Sequence, residues 1–239
     1  MKNIHIIYKI TFALLIILVT VCLVQSIKIY RCFKKGNFYI QPWQKIIPDA
    51  PFKVLVAGDS TAVGTGLSDN AQSTAGLLSH DYPQFDVENY SRNGLRLKGL
   101  ANILGTIQDK KFDLAILQIG ANDILFFTPL DQISADHRRV LDLTRHIAKR
   151  VIILHSGDIG SSPLFIWPLS WVYTWRSLKV REIYAQRQDD RVSYLDLYAL
   201  NKGQDYTGCY GRDSLHLNEK GYAIWYAFIK NQLQQLHWL

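Results

Sequence analysis

The sequence lacks a cysteine framework. Its three cysteines are Cys22, Cys32 and Cys209, the first of them inside an apolar run, and such a set neither requires nor excludes an oxidising compartment. Acid is nearly absent from residues 1–50, where Asp49 alone faces seven lysines and arginines. Set aside from chain totals of 27 basic and 20 acidic residues, these leave 20 basic and 19 acidic, so the net charge of +7 is an N-terminal property. The rest of the chain carries no basic footprint for nucleic acid. No internal repeat or low-complexity segment is present. Phosphate-binding motifs are missing as well. In "VLVAGDSTAVGTG", Val54 to Gly66, no lysine follows Gly64 or Gly66 as a P-loop requires, and Leu67, Ser68 and Asp69 break a G-x-G-x-x-G fingerprint. A G-x-S-x-G elbow fails at the same place, because the residues around Ser60 are Gly58-Asp59-Ser60-Thr61-Ala62.

What the N-terminus does contain is an uncharged, mostly apolar run from Ile10 to Ile27, "ITFALLIILVTVCLVQSI", of membrane-spanning length. Lys2 and Lys9 precede it; Lys28, Arg31, Lys34 and Lys35 follow. No A-x-A cleavage pattern follows the run, and Val21 stands before Cys22 where a lipoprotein needs a small residue. The run therefore reads as an uncleaved transmembrane anchor at 10–27, behind a tail at 1–9 and ahead of a basic juxtamembrane linker at 28–52. The excess of positive charge after the span leans toward a cytoplasmic side for the domain that follows.

Beyond the linker, residues 53–239 suffice for one α/β domain and not for two. Apolar runs at 53–57, 85–90, 113–119, 151–155 and 191–195 predict five strands. Helical patterns near 70–80, 96–108, 131–149, 176–188 and 219–236 alternate with them. Alternating strands and helices imply a mostly parallel sheet covered on both faces, with chemistry in the loops after the strands.

Those loops hold the parts of a serine nucleophile site. Ser60 follows the first strand, Ser91-Arg92-Asn93-Gly94 the second and Gly120-Ala121-Asn122-Asp123 the third. Asp213-Ser214-Leu215-His216 precedes the last helix, a spacing that lets the carboxylate reach the imidazole Nδ1–H and leaves Nε2 free as a base. An activated serine needs such a base, an acid to orient it, and donors aimed at the developing oxyanion.

With these blocks in order, the chain resembles the SGNH hydrolase superfamily, the GDSL-type esterases and lipases. The resemblance covers residues 53 to about 235. It implies a three-layer α/β/α fold with a flavodoxin-like five-stranded parallel sheet, here preceded by one N-terminal transmembrane helix. It implies Ser60 as nucleophile, His216 as general base and Asp213 as its orienting acid. Ser60 N–H, Gly94 N–H and the Asn122 side chain would form the oxyanion hole. No metal or organic cofactor is implied.

Asp59 and Asp123 read as loop braces or caps, and Gly64 and Gly66 as backbone devices. His5, His80, His137, His146 and His237 lack a partner pattern and read as solvated or packed, whereas His155 ends a strand near the expected site and is a candidate substrate contact. The segment from Ser156 to Trp175 carries Trp167, Trp171 and Trp175, spaced to share one helical face. They are candidates for an acyl-binding wall, a membrane contact or a packed helix. The resulting expectation is a membrane-anchored esterase acting on acyl esters of a lipid or lysophospholipid, with the bilayer as partner through the N-terminal helix. A carbohydrate O-acetylesterase is the alternative within enzymes, and a catalytically silent binding module the alternative outside them. Oligomeric state is open.

Overall fold

The computed structural model describes residues 2–202, 204, 206 and 208–239, with the side chains of residues 2–4 and 7 outside the description. Five parallel strands form the sheet: β1 (Lys53–Gly58), β2 (Asp86–Asn89), β3 (Phe112–Gln118), β4 (Ala148–Leu154) and β5 (Val192–Tyr194). Their order, β2-β1-β3-β4-β5, is the flavodoxin-like one. The register is continuous: Val56 lies beside Ile116, and Ile116 beside Ile152.

Three of these strands are apolar at nearly every position because both faces of the sheet are covered. Alternate side chains go to opposite sides. Leu55, Ala57, Ala115, Leu117, Val151 and Ile153 meet one layer, which includes α4 (Leu97–Gly105), α6 (Leu130–Ile147) and α7 (Leu169–Ala185). Val54, Val56, Leu114, Ile116, Ile152 and Leu154 meet the other, which includes α3 (Thr74–Asp81), the short α8 (Leu197–Asn201) through Leu197, and α9 (Glu219–Gln235). The helices carry matching stripes. In α6 the buried residues include Ile133, His137, Val140, Leu141 and Thr144, and in α9 they include Tyr222, Trp225, Tyr226, Ile229 and Leu233. Asn218 caps α9, its side chain accepting from Gly221 N–H at 3.2 Å.

Some expected boundaries move. Residues 148 and 149, read as the end of a helix, open β4, since Ala148 is extended and pairs with Phe112. α7 begins seven residues before the expected 176, directly after Pro168, where a proline's missing N–H costs a helix nothing. The segment at 70–80 splits into a 3₁₀ turn (Asn70–Gln72) and α3, with Ser73 capping the latter.

At the N-terminus α1 (Lys2–Lys35) takes in the apolar run and continues eight residues into the segment read as linker. Tyr8–Lys35 is long and apolar enough to cross a membrane, and little of it is buried against the rest of the chain. The remainder of that segment packs on the domain. Lys45 bridges Val87, Trp43 Nε1 donates to Ser79 Oγ at 3.0 Å, and Ile47 N–H donates to Asp86.

Candidate active site

Three connections deliver the site. β1 ends at Gly58 and turns through Asp59 into the short helix α2 (Ser60–Val63), so Ser60 is the first helical residue. The N–H of such a residue has no acceptor inside its helix. Asp59 caps α2: its Oδ1 accepts from Thr61 N–H at 3.0 Å and Thr61 Oγ1 at 2.9 Å. Its Oδ2 accepts from Ala121 N–H at 3.2 Å, tying the end of β1 to the start of α5 (Ala121–Leu125). Burial pushes the Asp59 carboxyl up to about 6, against the pull of the bonds from Thr61 and Ala121. Asp59 is thus the brace expected of it.

His216 Nε2 lies 3.0 Å from Ser60 Oγ, and His216 Nδ1 lies 2.7 Å from Asp213 Oδ2. The other oxygen of Asp213 accepts from the N–H groups of Leu215 and His216, both at 2.9 Å. Burial pushes this carboxyl up, but its bonds to His216 and Leu215 win and hold it below the usual carboxylate value. The turn closes through Ser214 in a left-handed conformation. All three side chains are buried, and Ser60 and His216 line one cleft.

Gly94 and Asn122 line the same cleft. Gly94 has φ near 76°, and a Cβ there would meet nothing within 4 Å. Backbone conformation, with open cleft beyond, is what requires glycine here. Asn122 Nδ2 donates to Leu95 O at 3.1 Å. A carboxamide has two N–H donors, so the other is available to a ligand. Asp123, the next residue, caps α4 by accepting from Leu97 N–H at 2.9 Å, and burial raises its pKa despite that bond.

The substrate-contact expectations need correction. His155 is fully buried; its Nδ1 accepts from Gly157 N–H and its ring packs on Tyr184 and Tyr194. Burial holds it down to about 4, so it is a neutral packed histidine, like His137 against Tyr184. Trp167, Trp171 and Trp175 are not among the described residues lining the cleft, and they are 72, 68 and 49 % exposed. They cannot share one helical face, because Trp167 precedes Pro168 and the first turn of α7. The packed-helix reading of all three fails on the same exposures.

Gly66 is the backbone device expected of it, and other contributors were not foreseen. Gly66, with φ near 101°, allows the loop after α2 to approach the His216 segment: a Cβ there would stand 2.3 Å from Leu217 O and 2.8 Å from His216 Cβ. Tyr222 on α9 donates to Thr65 O at 3.0 Å and holds that loop from below. Phe38 sets its ring against that of His216, edge to face at 5.7 Å. The aromatic character of residues 30–43 was legible, but its destination depends on how α1 packs.

The chemistry available is that of a serine activated by a histidine–carboxylate pair, beside a glycine turn and a carboxamide donor. The profile of the GDSL-like Lipase/Acylhydrolase family matches residues 56–224, which spans all four blocks. No curated protein matches the chain. Among solved structures, a lipase, Lip_vut3, from a goat rumen metagenome superposes with a TM-score of 0.61 at 17% identity, covering 75% of this chain and 96% of its own. TesA gives 0.59 at 21%, covering 77% and 99%. The acetylxylan esterase Axe2 from Geobacillus stearothermophilus gives 0.55 at 20%, covering 80% and 97%. With its fold and this match over most of its length, the chain belongs to the GDSL-like lipase/acylhydrolase family, serine hydrolases that act on ester bonds.

Proposed function

We propose that the protein is a membrane-anchored serine esterase that cleaves acyl esters of a lipid or lysophospholipid through an acyl-enzyme on Ser60. The observation that carries the reading is His216 held between Asp213 and Ser60 at 2.7 and 3.0 Å. His216 Nε2 takes the hydroxyl proton as Ser60 Oγ bonds to the acyl carbonyl carbon, and the carbonyl electrons move onto oxygen. Asp213 fixes the imidazole with its proton on Nδ1 and stabilises the imidazolium. Ser60 N–H, Gly94 N–H and the free Asn122 N–H receive the oxyanion. Collapse expels the alcohol, which takes the proton from His216. Water then repeats the sequence on the acyl-enzyme and returns Ser60 and a carboxylic acid.

The anchor and the lipid substrate rest on the exposed apolar residues of α1 and on the exposed Trp167, Trp171 and Trp175. Gln25 and Lys28 of α1 bond to the segment just before Trp167. That supports a helix retained on the domain, with the tryptophans at the membrane–water boundary, where this residue type is favoured. Lys28, Arg31, Lys34 and Lys35 after the run, against Lys2 and Lys9 before it, favour the cytoplasmic side for the domain. The Axe2 likeness keeps a carbohydrate O-acetylesterase as the second reading.

Labelling of the full chain by a fluorophosphonate probe, lost in Ser60→Ala, is the expected result. A folded wild-type protein that takes no label overturns the esterase reading in favour of a silent binding module. A p-nitrophenyl ester series that peaks steeply at acetate overturns the lipid substrate alone. A C-terminal reporter active only outside the cytoplasm reverses the proposed side.

A further inference from the structure

The cleft beside Ser60 is not built by the α/β domain alone. Its lining includes Ile29, Cys32 and Phe33 of α1, and Phe38 just after that helix. Residues 29, 32 and 33 fall within one turn on one helical face, and Gln25 lies on that face one turn earlier. The face is fastened to the domain. Buried Gln25 donates through Nε2 to Leu164 O at 3.2 Å and accepts through Oε1 from Ile166 N–H at 3.0 Å. The Lys28 ammonium donates to Pro163 O. Further along, Asn37 Nδ2 donates to Leu67 O and Asn93 Nδ2 to Phe38 O, both at 2.9 Å.

A helix that served only as a tether would need none of these contacts. Here both polar ends of a buried amide are satisfied by the loop whose Leu164 and Phe165 also line the cleft. Cys32 is buried in the same cluster as Leu117 and Ala121, at the end of β3 and the start of α5. The resulting cavity, about 1420 Å³, is far larger than an acetyl group needs, and much of its wall is aliphatic or aromatic.

Position along α1 adds a second argument. Ile29 and Phe33 lie ~3 Å and ~9 Å along the helix axis beyond Ile27, the last residue of the apolar run. The interfacial layer of a bilayer extends ~5–7 Å on each side of the hydrocarbon core, so Ile29 falls within it and Phe33 just past its outer edge. The ester groups of membrane lipids lie in that layer, with their acyl chains directed toward the apolar run.

We infer that the C-terminal part of α1 and the residues after it, through Ile29, Phe33 and Phe38, form the acyl-binding wall of the catalytic cleft. They select an acyl chain longer than acetyl, delivered by an ester lipid from the bilayer around α1. This rests on the reading of the cleft as an esterase site and assigns its specificity to the N-terminal segment. Each methylene buried against such a wall is worth roughly fourfold in binding.

The test uses the full chain in detergent micelles, with p-nitrophenyl acetate and p-nitrophenyl octanoate as probes. In the double variant Ile29→Ala, Phe33→Ala, which leaves Phe38 in place against His216, the octanoate-to-acetate ratio of kcat/KM falls about tenfold or more, carried by KM for octanoate, while fluorophosphonate labelling of Ser60 persists. An unchanged ratio with labelling intact overturns the inference. Should the double variant lose labelling through misfolding, Ile29→Trp decides: filling the wall shifts the optimum to shorter esters, and an unmoved optimum overturns the inference. A wild-type enzyme that prefers acetate refutes the acyl wall while the esterase reading stands. A wild type neither labelled nor active removes both.

Discussion

His216 Nε2 stands 3.0 Å from Ser60 Oγ across 156 residues of chain, brought there by Gly66, whose missing Cβ leaves room for the His216 backbone. The proton can move along this contact only if Nδ1 carries the other one, and Asp213 Oδ2 at 2.7 Å enforces that tautomer. In Asp213→Asn, an amide nitrogen turned toward Nδ1 would donate, forcing the ring proton onto Nε2, where it blocks the base. We expect kcat to fall by about 10⁴-fold with the fold retained. Steady-state kinetics on a p-nitrophenyl ester, with circular dichroism as the control, measure it; a loss below tenfold would show that Asp213 does not orient the base.

Asn122 carries two separable duties. One N–H donates to Leu95 O, and the proposed mechanism gives the other to the oxyanion. Asn122→Ala should lower kcat by about 10²- to 10³-fold and stability by about 1 kcal/mol from the lost bond to Leu95. Urea unfolding reads the second effect and turnover the first. A stability loss with full turnover would make Asn122 a purely structural residue.

The order of the four blocks and the alternation of strands and helices carried most of this site before any coordinates. Ser60, Gly94, Asn122, Asp213 and His216 each stand next to a strand end or a helix start, where local pattern is strong. Ile29, Phe33 and Phe38 could not be read in the same way. The role proposed for them depends on Gln25 finding Leu164 and Ile166, a pairing 139 and 141 residues apart that no local pattern encodes. The tryptophans misled for a different, local reason. Their spacing of four suggested one helical face, but Pro168 starts the helix after the first of them.

Asp59 makes stability depend on pH in a stated direction. Its folded pKa, about 6, lies above the ordinary 3.8 because burial outweighs the bonds from Thr61 and Ala121. The unfolded chain therefore releases this proton first. The contribution is fully present below about pH 4 and is lost as pH rises through about 6, a change on the order of 3 kcal/mol. Asp59→Asn removes the titration but deprives Ala121 N–H of its acceptor, at about 1 kcal/mol. Wild type should exceed the variant in Tm at pH 4 and lose that advantage, or fall below it, by pH 7.5. A gap that stays constant across this range would refute the assignment.

Trp167 and Trp171 test membrane contact apart from catalysis. Neither lines the cleft, and both are mostly exposed, so their loss should move stability by no more than about 0.5 kcal/mol. Trp167 directly follows residues 163–166, which Gln25 and Lys28 hold against α1, and Trp171 lies in the first turn of α7. In Trp167→Ala/Trp171→Ala, hydrolysis of an acyl ester presented in vesicles should slow by roughly tenfold, about 1.4 kcal/mol of lost positioning. Hydrolysis of a water-soluble p-nitrophenyl ester should change far less, because Ser60, His216 and the cleft wall are untouched. Tryptophan fluorescence should shift to the blue on reconstitution, and less in the variant. Equal rates on vesicles with no such shift would mean that these side chains face water, leaving α1 as the sole membrane contact.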